Sequence, residues 1–250
     1  MEFVRSLESE LLKIKGSIII WVSIFGGLLL STVFTLRFIY LQYHINLRDP
    51  VGAWEKLFSQ NARPFIGFLI PIGVILICTL ITQIEYKNNN WKQVHTTPQR
   101  YSTIFFAKFT TLFLLTIFVF LLLNIGILLH GILPCLIVEG SFPKHPIPFG
   151  FFVLETLKCF VLTLPIIGFQ YLLSLHYKNF MIAFGVGLTV YVGSMPGIKM
   201  GSIGYLSPYS FVLNYFDQVV ETQHYWMALI YFILLTIFSY VLYLNKGEKG

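Results

Sequence analysis

The sequence predicts an all-α membrane protein with six transmembrane helices. Of its 250 residues, 56% are hydrophobic and only 11% are charged, and this is about half the charged fraction of a soluble domain. Apolar runs recur along the whole chain, each close to the ~20 residues that a helix needs to cross ~30 Å of hydrocarbon. Strands of a membrane barrel would alternate apolar and polar residues, whereas residues 109–123 are almost continuously apolar. Little sequence remains for a soluble domain.

The first predicted element is an amphipathic helix over residues 1–16. Val4, Leu7, Leu11 and Ile14 recur at steps of three and four, and Gly16 would end the helix. This helix is expected on the inner membrane surface, and the alternative is that it forms the helical start of the first span. The six predicted spans then follow at residues 17–40, 64–83, 104–130, 151–175, 179–197 and 226–244.

The distribution of basic residues predicts that both termini are cytoplasmic. Of the 17 Lys and Arg residues, ten lie on the N-terminal side of this layout, counting Lys108 in the first turns of the third span, and five lie on the other side. The remaining two, Arg37 and Lys158, lie inside predicted spans. Cytoplasmic loops carry an excess of Lys and Arg, so the net charge of +6 needs no nucleic acid as a partner. The spacing of the cysteines and histidines indicates neither a disulfide framework nor a metal site.

Most of the polar residues on the predicted cytoplasmic side lie between the second and third spans. Residues 85–98 read EYKNNNWKQVHTTP. Trp91 and Val94 are spaced to form a small apolar face on a helix, and Thr97–Pro98 has the residue types of an N-cap and a first-turn proline. Lys108, farther along, is expected to extend its ammonium group to the lipid headgroups. The segment is either a linker or a flat helix that receives force from a soluble partner.

The pattern formed by Glu85, Trp91–Lys92, Thr96–Thr97–Pro98 and Lys108 resembles the cytoplasmic loop of ABC-2 type transporter permeases. Among these it is most similar to the bacitracin and lantibiotic immunity branch, whose members share this length and six spans. The resemblance implies that residues 84–103 form a coupling loop whose short helix is seated in a cleft of a separate ATPase subunit. The residues implied in this coupling are Glu85, Trp91, Lys92, Val94, His95, Thr97 and Pro98.

No G-x-x-x-x-G-K-[ST] motif occurs in the chain. The chain therefore lacks the backbone loop that cradles nucleotide phosphates in ATPases. It is expected to bind no cofactor, and ATP and Mg would be held by the partner ATPase.

Three charged residues near the predicted outer boundary are candidates for a substrate pathway. Glu155 and Lys158 are three apart at the start of the fourth span, and Arg37 lies at the end of the first. Charges inside a membrane span are costly and usually serve a function. The alternative is that these side chains reach the headgroups and have no role in transport.

The second long polar connection, residues 197–225, is expected on the outer side. Ser207–Pro208 followed by apolar residues at helical spacing predicts a short helix there. It is similar to the outer re-entrant element of ABC-2 permeases, and a helix on the surface is the alternative. Pro71 lies inside the second span, where a proline can kink the helix.

The predicted function is the permease subunit of an ATP-driven exporter in the bacterial inner membrane. It would act with two ATPase subunits and a second permease chain, identical or related. The resemblance implies an amphipathic or antimicrobial peptide, or a lipid-like molecule, as cargo. The alternatives are an assembly factor or sensor that docks a non-ATPase partner, and an intramembrane hydrolase. The hydrolase is disfavoured because Ser194 does not lie in a G-x-S-x-G motif and no H-E-x-x-H motif occurs, so no catalytic residue is assigned.

Overall fold

The computed structural model describes residues 2–41, 52–86, 100–137, 146–177, 179–196, 206–217 and 220–247. These residues form helices and no strand, which confirms the predicted all-α class. In chain order the helices are α1 (Glu2–Ile14), α2 (Ile18–Leu41), α3 (Ala53–Pro64), a π-helical turn (Phe65–Leu69), α4 (Ile70–Tyr86), α5 (Tyr101–Ile137), α6 (Phe149–His176), α7 (Phe180–Ser194), α8 (Ser210–Phe216) and α9 (Thr222–Gly247).

Among the described residues, five helical stretches are long and apolar enough to cross a membrane. They cover Ile18–Arg37, Ala53–Ile84, Tyr101–Leu133, Phe149–His176 and Thr222–Asn245. The sixth predicted span corresponds to α7, which has only 15 residues. At about 1.5 Å per residue, such a helix is shorter than the ~30 Å hydrocarbon core. The structure therefore supports five of the six predicted spans by length, and the cytoplasmic placement of both termini stays a prediction.

The second span is longer than the sequence analysis predicted. Its expected start was residue 64, but α3 already begins at Ala53 and continues through the π-helical turn into α4. The polar residues between 55 and 63 interrupt the apolar run, so hydropathy alone gives no signal for a membrane-spanning helix there. In the structure α3 buries one face against the protein, including Trp54, Leu57 and Phe58.

The amphipathic helix predicted at the N-terminus is present as α1. Gly16 has a φ of 79°, a left-handed conformation that suits glycine, and it separates α1 from α2. This turn supports a separate helix over a continuous first span. The predicted apolar face is divided in the structure, because Ile14 is buried while Val4 and Leu11 are exposed. α1 packs mainly on α5, and only slightly on α2.

Two close helix pairs frame the bundle. In the α2–α5 pair, a Cβ added at Gly27 would lie 2.6 Å from Leu122 Cβ, and one at Gly126 would lie 2.7 Å from Ser31 Cβ. In the α6–α9 pair, a Cβ at Gly168 would lie 3.2 Å from Leu235 Cβ. Small residues let membrane helices approach closely and gain van der Waals contact. Aromatic rings centred on Phe105 fill the space where α5, α6 and α9 meet.

Candidate functional site

The predicted coupling loop is flanked by α4 and α5. α4 ends at Tyr86 and α5 begins at Tyr101, so helix occupies both ends of the range 84–103 that was assigned to the loop. Glu85 lies in the last turn of α4. The other predicted coupling residues, Trp91, Lys92, Val94, His95, Thr97 and Pro98, lie outside the described residues.

Followed away from the loop, α4 leads to the π-helical turn. There the backbone N–H of Ile70 donates to the carbonyl of Phe65, five residues earlier. Pro71 has no N–H to donate, and the carbonyl that an α-helix would pair with it is that of Gly67. The Tyr191 hydroxyl of α7 donates to the Gly67 carbonyl oxygen at 2.7 Å. A side chain from another helix thus replaces the bond that the proline removes.

The contacts continue from Tyr191 into α6 and the segment before α8. The rings of Tyr191 and Tyr209 lie 5.6 Å apart, and the Tyr209 hydroxyl donates to Gln170 Oε1 at 3.3 Å. Gln170 Nε2 donates in turn to the carbonyl of Ala183 in α7 at 3.1 Å. We call Gly67, Gln170, Tyr191 and Tyr209 the tyrosine network. It joins the π-helical turn, α6, α7 and the segment before α8.

The tyrosine network is enclosed in the protein. Gln170 and Tyr209 are 0% exposed and Tyr191 is 2% exposed. Burial raises the pKa of Tyr209, so its hydroxyl stays a neutral hydrogen-bond donor at physiological pH. The Gln170 side chain packs against Gly187, where any larger residue would clash, because a Cβ at position 187 would lie 2.3 Å from Gln170 Oε1. Buried polar groups need partners, and here each partner lies on a different element.

The short helix predicted after Ser207–Pro208 is α8. It packs on the π-helical turn and on α6, and Phe211, Val212 and Leu213 are almost completely buried. This burial favours the re-entrant interpretation over a helix on the surface. The Ser194 hydroxyl is hydrogen-bonded to that of Ser207 at 2.5 Å, which ties the end of α7 to this segment.

The charged pair predicted in the fourth span is formed within α6. Lys158 Nζ lies 2.6 Å from Glu155 Oε1, and the two side chains are 38% and 19% exposed. Leu154 and Leu157 beside the pair are exposed, so it borders an apolar surface. Arg37 lies on α2 with its side chain exposed, and the three charged residues are spread over two helices.

One sequence-based expectation for a single residue was wrong, and the burial of one histidine was not predicted. Lys108 does not extend to the surface: it is 3% exposed and its ammonium group lies 3.8 Å from Glu10 Oε2. His130, the last residue of the third predicted span, is 2% exposed and its Nδ1 lies 3.0 Å from Asn61 Nδ2. In both cases the partner lies on another helix, where residue spacing gives no signal.

Asparagine and threonine make a further link that the sequence analysis missed. Asn124 Nδ2 of α5 donates to Thr156 Oγ1 of α6 at 2.9 Å, and the threonine hydroxyl lies 3.2 Å from Asn124 Oδ1. Within the described part of the chain, no three His, Cys, Asp or Glu side chains are grouped as metal ligands. The bonds between Asn124 and Thr156 therefore link α5 to α6.

Residues 6–197 match a family model described as ABC-2 family transporter protein. The match begins in α1 and ends just after α7, so it includes the predicted coupling loop, the π-helical turn and the Glu155–Lys158 pair. No curated protein matches the chain.

Proposed function

Because the chain belongs to the ABC-2 transporter family, whose members are membrane components that work with ABC ATPase subunits, we propose that it is the permease subunit of an ATP-driven exporter. The proposed assembly contains two ATPase subunits and a second permease, identical or related, in the bacterial inner membrane. The chain crosses the membrane six times, with both termini in the cytoplasm. Its cargo is an amphipathic or antimicrobial peptide or a lipid-like molecule, and its physiological role is immunity.

ATP hydrolysis is assigned to the partner chains. The sequence has no phosphate-binding loop motif, so ATP and Mg are held by the ATPase subunits. The permease receives work through the connection between α4 and α5, which is the coupling loop of this proposal.

The course of α4 carries this mechanism. The helix runs without interruption from the loop at Tyr86 to the π-helical turn. There Pro71 has no N–H for the Gly67 carbonyl, and the Tyr191 hydroxyl of α7 donates to this carbonyl instead. π-helical turns inside helices are frequent at functional sites and are places where helices bend. A push on the loop moves α4 as a rod, and the π-helical turn is the point at which the second span bends. The tyrosine network conveys the bend to α6, α7 and α8.

The Glu155–Lys158 pair is proposed to lie on the substrate pathway, together with Arg37. A carboxylate and an ammonium group beside exposed leucines complement a molecule that carries both charges and apolar surface. We expect Lys158→Met to lower cargo movement while the ATPase subunits stay bound. Unchanged cargo movement would show that the Glu155–Lys158 pair is not part of the substrate pathway.

Co-purification tests the coupling assignment. The permease is expressed with a Walker-type ATPase encoded beside it, and the bound ATPase and its activity are measured. We expect Trp91→Ala and Thr97→Ala/Pro98→Ala to remove ATPase binding or its stimulation. Trp226→Ala is a matched control, because Trp226 is an exposed tryptophan of α9. Retained binding and full stimulation in both loop variants would reject the coupling role, and capture of a non-ATPase protein would favour a sensor or assembly factor.

A further inference from the structure

A glutamate and a lysine are buried in the described part of the protein, and they face each other across two helices. Glu10 of α1 is 5% exposed and Lys108 of α5 is 3% exposed. Lys108 Nζ lies 3.8 Å from Glu10 Oε2. Lys13, in the next turn of α1, contacts Glu10 Oε1 at 2.5 Å. Buried charges are costly unless they are paired, so the position of α1 on α5 is held by charge as well as by packing.

The contact surface of α1 confirms that α5 is its main support. Ser6, Glu10 and Ile14 are spaced four apart and form the buried face of the helix. α1 contacts α5 extensively, whereas it has few contacts with α2, the next helix in the chain. The left-handed turn at Gly16 breaks the helical direction between α1 and α2. The placement of α1 therefore depends on α5 more than on its covalent neighbour.

Lys108 lies close to the point where α5 leaves the proposed coupling loop. α5 begins at Tyr101, and Lys108 follows about two helical turns later. On its outward side α1 exposes Val4, Leu11 and Leu12, which suit contact with lipid. α1 is therefore attached to the part of α5 that a force on the loop reaches first.

We propose that Glu10 and Lys108 are a positioning pair that fastens α1 to the beginning of α5, so that both helices move as one body during transport. The movement rests on the proposed function, whereas the attachment does not. Through this pair, a force on the coupling loop that moves α5 also moves α1, the helix whose exposed apolar residues contact lipid.

Cysteine labelling tests the attachment in the full-length protein in nanodiscs. Ile14 is 3% exposed, so a cysteine at this position should react slowly with a water-soluble maleimide while α1 is attached. We expect Glu10→Gln to raise the labelling rate of I14C by roughly tenfold, because one partner of a buried charge pair is lost. Glu8→Gln is the matched control, since Glu8 is an exposed carboxylate of the same helix. Protein without I14C gives the background from the native cysteines.

A second background shows whether Glu10 acts through Lys108. In protein that carries Lys108→Gln, the attraction is already absent, so Glu10→Gln should add less than about threefold to the labelling rate. An equal effect of Glu10→Gln in both backgrounds, or no effect in either, would overturn the positioning pair.

Cross-linking tests the shared movement. In the E10C/K108C variant a short bifunctional thiosulfonate replaces the ion pair with a covalent bridge, and ATP hydrolysis by the complex with its ATPase subunits is measured. We expect the bridge to restore turnover that the unbridged variant has lost. Lower turnover after bridging would mean that the helices must move apart, and would overturn the proposal. Absence of stimulated turnover in the unsubstituted complex would refute the proposed function and the shared movement with it, while labelling would still decide the attachment.

Discussion

Removal of the Tyr191 hydroxyl should destabilise the protein through the backbone of another helix. The hydroxyl donates at 2.7 Å to the Gly67 carbonyl, and Tyr191 is 2% exposed. Tyr191→Phe keeps the ring and its contact with Tyr209 but leaves that carbonyl without a donor. A buried acceptor without a partner costs about 1–3 kcal/mol. We expect the free energy of unfolding to fall by this amount, as measured by denaturant titration in mixed micelles.

A double-mutant cycle with Pro71 tests the cause. Pro71→Ala restores a backbone N–H that can pair with the Gly67 carbonyl within the helix, so the hydroxyl becomes less important. In this background the cost of Tyr191→Phe should fall to about 0.5 kcal/mol or less, which corresponds to a coupling energy of about 0.5 kcal/mol or more.

The matched control for this cycle is Tyr240→Phe. The hydroxyl of Tyr240 has no hydrogen-bond partner among the described residues, although its ring packs on Phe105. We expect this control to change the free energy of unfolding by about 0.5 kcal/mol or less. If Tyr191→Phe costs the same in the native background and in the Pro71→Ala background, the inference that the tyrosine replaces the donor that the proline lacks is refuted.

Three further predictions follow from close packing and from charge. Gly131→Ala should lower the free energy of unfolding by about 1–3 kcal/mol, because its Cβ would lie 2.6 Å from the Trp54 ring. Gly150→Ala is the control and should not lower the free energy of unfolding in the same titration, because its Cβ would meet nothing within 4 Å. Gly187→Ala should displace Gln170 and lower the melting temperature, and this loss should shrink in a Gln170→Ala background, because the three nearest atoms all belong to Gln170. A C-terminal fusion should fluoresce with green fluorescent protein and show no activity with alkaline phosphatase, and the reverse result would contradict the cytoplasmic terminus.

Helices that are apolar over their whole length could be predicted closely from the sequence. The fourth span was expected at residues 151–175 and is Phe149–His176 in the structure. α3 was missed because Asn61 and its polar neighbours resemble a loop when only hydropathy is considered. In the folded protein Asn61 is fully buried and donates to Leu57 and to His130. A polar side chain whose donor group is paired by the protein can lie inside a bundle, and the pairing of Asn61 with His130 is a property of the tertiary structure.

The same distinction separates the charged residues. The Glu155–Lys158 pair could be predicted because residues three apart are neighbours on one helix. Lys108 could not be placed correctly, because its partner Glu10 lies on a helix distant in sequence. The bond between Tyr191 and Gly67 joins residues 124 positions apart. Pro71 does predict the acceptor of this bond, since a proline inside a span leaves the carbonyl four residues earlier without its helical donor. The side chain that donates to this carbonyl cannot be identified from residue spacing.

The bundle uses two kinds of helix contact, and they suit different mechanical roles. The α2–α5 and α6–α9 pairs are joined by close packing at glycines, which holds only while the helices stay in register. The π-helical turn, α6, α7 and the segment before α8 also pack on one another, and in addition they are joined by hydrogen bonds from Tyr191, Tyr209 and Gln170.

Breaking one buried hydrogen bond costs about 1–3 kcal/mol, whereas separating a packed interface loses many contacts at once. The close pairs should therefore move as units. The bend at the π-helical turn should change the tyrosine network first, so that variants of this network alter the balance between transport states before they alter the packing of α2 or α9.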